Sequence, residues 1–223
     1  MTKKVLGYIS LAAGILACVV AVFYLANTIM TAVDFDWTAN NSVKIYIYEG
    51  VLILALACAT IGFTYGGVKI VQAFLGKKEI GNKLLTFPMA VYFAAEFVFA
   101  GIAIGFWGLD NVSSWIFGLL AALGLVLTLC PSFAKLDEKN TNLVLLIASI
   151  LGFVLTIVGL TRTGGVAAAE LVFTMFMFAC VAAIYITYVV TAANNNSKTE
   201  EVKEEPAKEE VAEESKDSEK EAE

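Results

Sequence analysis

The sequence predicts an all-α polytopic membrane protein, a bundle of six transmembrane helices followed by an acidic C-terminal tail, on three observations. Of its 223 residues, 59% are apolar and only 16% charged, too little polar surface to cover a water-soluble fold of this length. The charges are also segregated: residues 194–223 carry five lysines against twelve acidic residues, a net −7, which leaves residues 1–193 at +1. Within that body, charges and turn formers separate six apolar runs, each able to supply the ~20 helical residues that cross about 30 Å of hydrocarbon. Backbone groups in lipid have no water to bond, so the runs must be helices and not open strands.

The first run, 5–32, follows Lys3-Lys4 and stops at Asp34-Phe35-Asp36. Its stretch Ile15-Leu16-Ala17-Cys18 resembles a lipoprotein signal, but Val19 through Tyr24 stay apolar where a secreted chain would turn polar. The run is therefore read as an uncleaved span. The second, 51–75, ends at Lys77-Lys78-Glu79; before it, Val43 to Tyr48 alternates with strand periodicity or forms an interfacial lead into the helix. The third, 84–107, ends at Gly108-Leu109-Asp110-Asn111, and the fourth, 112–130, at the polar segment from Pro131 to Asn140. The fifth, 142–161, ends at Arg162-Thr163-Gly164-Gly165, and the sixth, 166–192, runs into Asn194-Asn195-Asn196.

Two units follow: a transmembrane domain over 1–193 and a Lys/Glu-rich tail over 194–223. The tail has no aromatic residue and buries too little apolar surface to offset chain entropy, which predicts disorder or a transient helix stitched by Glu–Lys pairs. With the N-terminus inside, the inner segments hold Lys3, Lys4, Lys77, Lys78, Lys83, Lys135 and Lys139, against Lys44 and Arg162 outside. Lysine asymmetry thus places both termini in the cytoplasm, and Trp37, Trp107 and Trp115 at the outer interface agree. The expected location is the cell membrane, as a multi-pass protein with the lipid bilayer as its main partner.

Several function classes drop out. No basic patch exists for nucleic acid. There is no histidine, which removes the commonest general base, metal ligand and near-neutral pH sensor. The four cysteines fall on four different runs without C-x-x-C spacing and read as packing residues. No phosphate-binding glycine loop is present, and no aspartate lies within a span. We therefore expect no enzyme, no cofactor and no bound metal.

What remains is polarity inside the membrane, where a charge costs several kcal/mol unless paired, hydrated or neutralised. Glu96 stands near the middle of the third run, and on a helical wheel of about 100° per residue it shares a face with Met89, Tyr92, Ala100 and Ala103. By depth, its expected neighbours on the second run are Thr64, Tyr65 and Lys69, which with Glu96 form the candidate binding site. Glu170, early in the sixth run, is expected to be hydrated at the outer interface. Small residues four apart, Ala13-Ala17-Ala21, Gly62-Gly66 and Gly101-Gly105, mark close helix packing. The alanine stripe is also the surface a partner membrane subunit would use. The reading is a small transporter, or the membrane-embedded solute-binding subunit of a transporter complex, taking a small solute or cation. A non-catalytic membrane scaffold or assembly protein is the alternative.

Overall fold

A computed structural model describes residues 3–39, 42–78, 80–110, 112–161 and 164–220, with only the backbone described at Lys3, Trp107 and 194–220. Among the described residues there are six helices and no strand: α1 (Lys3–Asp34), α2 (Val43–Leu75), α3 (Asn82–Trp107), α4 (Val112–Phe133), α5 (Glu138–Leu160) and α6 (Gly165–Lys220). Each contains a segment long and apolar enough to cross a membrane, the one in α6 being Gly165–Ala193. Beyond that point the same helix continues through the Lys/Glu-rich segment.

Each helix packs against its chain neighbours, and α6 closes back onto α1. The bundle is thus a ring of six helices in chain order, as short connections between antiparallel spans favour. Its outer wall is an apolar sheath, with Leu54, Ile61, Leu119, Val126 and Val190 all more than half exposed. The interior is filled by aromatic, methionine and small residues: Tyr24, Phe63, Met89, Tyr92, Phe93, Met177, Phe178 and Tyr185 are almost completely covered. Lipid tails are as apolar as these side chains, so the helices are held by close packing and not by escape from water.

The closest packing lies where α1 crosses α2. A Cβ placed on Gly67 would stand 2.7 Å from the Gly14 carbonyl oxygen and 2.9 Å from the Cys18 amide nitrogen, so this glycine lets two backbones touch. Ala13, Ala17 and Ala21 are only 1%, 0% and 4% exposed. The stripe is therefore consumed inside the bundle and offers no surface to a partner subunit, because α1 lies between α2 and α6 and spends its small face on them. A Cβ placed on Gly101 would meet nothing within 4 Å, so the Gly101-Gly105 pair is not a helix-packing seam at that residue.

The turns are locally specified. Val43 to Tyr48 is the first part of α2, because alternation over six residues is overridden by continuation into an apolar helix. Between α1 and α2, Asp36 accepts hydrogen bonds from Thr38 N (3.0 Å), Thr38 Oγ1 (2.7 Å) and Ala39 N (3.2 Å), which hold its carboxyl below the usual aspartate range. Phe35 packs edge-on against Trp37 (4.6 Å between ring centroids) and Tyr46 (5.7 Å). The acidic and aromatic residues of this loop thus form its own fold. At the other end of α2, Lys77 adopts φ 53° and Lys78 N donates to Ala73 O at 2.9 Å, closing the helix as a Schellman turn does.

Candidate functional site

The centre of the ring is not filled along its whole length. Toward the end bearing the α1–α2, α3–α4 and α5–α6 turns, the outer end by the lysine asymmetry, it holds a cavity of about 780 Å³ lined by residues from all six helices. Asp34, Ser113 and Ala167 stand near the mouth; Glu96 and Tyr92 lie deepest along α3. Glu96 is eleven residues from the outer end of α3, roughly 16 Å down, about half the thickness of the hydrocarbon. Glu170 is five residues into α6, about 8 Å down by the same rise.

Three carboxylates, Asp34, Glu96 and Glu170, line this vestibule, and among the described residues no lysine or arginine does. Glu170 is 6% exposed and accepts a hydrogen bond from Asn27 Nδ2 at 2.9 Å. It is thus a largely covered group of α6 joined to α1, on the wall of the vestibule and not on the outer surface of the bundle. Its place within the first turns of α6 does fix its height, but the helix turns it toward the bundle axis. The Tyr24 hydroxyl is fully buried and has no well-formed hydrogen bond among the described residues. Glu96 is deep in the protein, keeps part of its surface open to the cavity, and receives no hydrogen bond from any of the described residues.

The α3 face expected from helical periodicity is the one that lines the cavity: Tyr92, Glu96, Ala100 and Ala103 all do so. The small side chains of Ala100 and Ala103 leave open the space above Glu96. Met89, on the same face, is fully buried one turn below Tyr92.

The expected neighbours on α2 lie elsewhere. Thr64 is exposed and donates to Thr60 O at 2.8 Å on its own helix. Tyr65 is 53% exposed, with its ring against Phe87 (5.3 Å), and the Lys69 ammonium sits 5.7 Å over the Tyr65 ring. These three residues form a patch on the outer wall, whereas Gly62, Phe63, Gly66, Gly67 and Ile70 are the buried face of α2. Depth along the axis predicts their height, but not the angle at which α2 presents them. Its inward angle is set by the glycines that meet α1 and α3. Asn27 is a site residue that the sequence does not single out; the available signal is an amide inside the first run, seven residues from Asp34 and therefore about as deep as Glu170.

Below the vestibule the ring is closed. Tyr92 forms part of the floor, and its ring meets Phe178 edge-on at 5.1 Å, with Phe93 5.7 Å from Phe178. The two phenylalanines fit only because α4 and α5 present glycine to them: a Cβ on Gly124 would strike Phe93, and one on Gly152 would strike Phe178. At the inner end a second hollow of about 510 Å³ is bordered by Lys77, Lys78, Glu138 and Ser10. There Asn82 Nδ2 donates to Asn142 Oδ1 at 3.2 Å. The two hollows and the aromatic layer between them make up the axis of the bundle. No protein-family model, curated protein or solved structure matches this chain, so its site is read from its own residues.

Proposed function

We propose that this integral membrane protein is a small, non-enzymatic transporter, or the membrane-embedded solute-binding subunit of a transporter complex, and that Glu96 is the polar centre of its path. The observation that carries the reading is a cavity lined by all six helices in one half of the ring, reaching a carboxylate midway along α3 with no basic residue in its described lining. A carboxylate kept only for packing would be expected to have donors around it; Glu170 has one in Asn27, while Glu96 is turned to open space. Intramembrane acids facing a water-accessible cavity commonly mark ion or solute paths. The vestibule at one end, the hollow at the other and the packed layer between are also what a site reached from alternate sides requires.

The test is Glu96→Gln in the full chain reconstituted in liposomes. Cation- or pH-dependent uptake is expected to fall to the level of empty vesicles, with the melting temperature changed by no more than about 2 °C, since an uncharged isostere removes no packing. Full uptake by the variant would sink the reading. Loss of thermal stability with no transport by either protein would favour the scaffold alternative.

A further inference from the structure

We infer that the solute of the outer vestibule is an organic cation, an ammonium or phosphonium compound with a bulky apolar body, and neither a bare metal ion nor an anion. The inference rests on the solute-binding reading above and names the class of molecule that would fill the site.

Size comes first. A volume of about 780 Å³ falls in the range of about 300–1,000 Å³ typical of pockets that enclose drug-sized ligands. An ion stripped of water needs a tight oxygen shell instead, with six or so ligands at roughly 2.0–2.6 Å. Among the described residues no three His, Cys, Asp or Glu gather to hold a metal ion. Glu96 and Glu170 sit on different helices, eleven residues from the outer end of α3 and five into α6.

Sign comes second. Glu96 and Glu170 both lie in the low-dielectric interior, with Asp34 at the rim and no lysine or arginine on the described wall. An anion entering this field would be desolvated against like charges and gain no compensating partner. A cation would give Glu96 the partner that the protein withholds.

The wall is the third observation. Most of it is apolar, with Leu52, Leu56, Phe99, Phe117, Leu155 and Leu171 outweighing the neutral polar side chains of Asn27, Thr31, Ser113 and Ser114. Its apolar part contributes nothing to holding a hydrated inorganic ion, but it would take up the hydrocarbon of an organic one. Aromatic faces beside a carboxylate also attract alkylated cations whose charge is spread over carbon.

The probe is tetraphenylphosphonium, with its isosteric anion tetraphenylborate as the sign control and sodium, potassium and protons as the small-ion controls. Binding is measured on the full chain in lipid nanodiscs and uptake in liposomes. Two variants are compared: Glu96→Gln, which removes the charge, and Ala103→Trp, which fills the space above Glu96 and keeps all three carboxylates. Saturable tetraphenylphosphonium binding is expected, weakened at least about tenfold by Glu96→Gln, as loss of one member of a buried charge pair implies, and abolished by Ala103→Trp. Tetraphenylborate should show no saturable binding. Glu96-dependent movement of sodium, potassium or protons without saturable phosphonium binding would overturn the organic-cation inference and leave the transport reading intact. Absence of both would overturn the two together. Equal binding of tetraphenylborate, or phosphonium binding untouched by Ala103→Trp, would also overturn it. If Glu96→Gln lowers the melting temperature, the Ala103→Trp result decides between these outcomes.

Discussion

At its outer end the six-helix ring leaves a vestibule whose ionisable lining includes Asp34, Glu96 and Glu170, whereas the inner hollow is bordered by Lys77, Lys78 and Glu138. Between them Tyr92, Phe93 and Phe178 close the axis. The ends differ in how their polar groups are satisfied as well as in sign. The inner pair Asn82 and Asn142 answer each other, and the lysines there stand at the end of the bundle, exposed. In the outer half, Glu96 lies in the same apolar bundle with no donor among the described residues, and space takes the place of a partner. An unpaired acid at that depth costs several kcal/mol. The fold keeps it beside a cavity while packing phenyl rings onto bare glycine one layer below, so the tight filling of the axis is confined to the layer between the two hollows.

That contrast can be broken most directly by placing a positive charge on the outer wall. Ala103→Lys places an ammonium in the vestibule above Glu96, and uptake of a cationic solute is expected to fall roughly 100-fold, since a buried like charge costs several kcal/mol. Initial rates in liposomes check this, and a rate within a factor of about two of the parent would remove the electrostatic basis of the vestibule.

The closed layer gives the next effect, this time on stability. Gly124→Ala and Gly152→Ala each push a methyl group into a fully buried phenyl ring, Phe93 or Phe178, that the other aromatic rings hold in place. Each should cost about 1–3 kcal/mol of overpacking. Gly101→Ala, with nothing within 4 Å, should stay within about 0.5 kcal/mol of the parent or gain slightly from helix propensity. Denaturant titration in mixed micelles separates the three. Equal effects at Gly101 and Gly152 would mean that the aromatic layer is not seated as described.

The smallest effect is expected on the outer wall of α2. Lys69→Gln removes a cation that lies over the exposed Tyr65 ring, outside the ring of helices. Uptake should change by less than about twofold, because an exposed cation–π contact is worth only about 0.5–1 kcal/mol and touches no part of the vestibule. A loss comparable to that of Glu96→Gln would put Lys69 back beside the path.

Hydropathy alone is sufficient for the number of spans, since each apolar run becomes one helix and each cluster of charge or glycine between runs separates two of them. Periodicity is sufficient for the face of α3, where Tyr92, Glu96, Ala100 and Ala103 share one side whatever the neighbours do. The same method fails for α2: Thr64, Tyr65 and Lys69 lie at heights that suit Glu96 but turn away from it, because Gly62, Gly66 and Gly67 are the residues that let α1 and α3 approach. The alanine stripe of α1 is legible as a packing surface, but not its occupant, which is the bundle itself.

Chain composition and local periodicity thus account for everything that depends on one helix at a time: its existence, its length across the bilayer, and which residues sit side by side along it. They do not specify azimuth, the rotation of each helix about its own axis relative to five others, because in lipid both faces of a span are apolar and the sequence carries no strong inside-versus-outside contrast. Rotation is fixed by where small residues permit contact and where large rings need room. Only the assembled ring could therefore turn Glu170 inward, pair it with Asn27, and leave open the space that Glu96 faces.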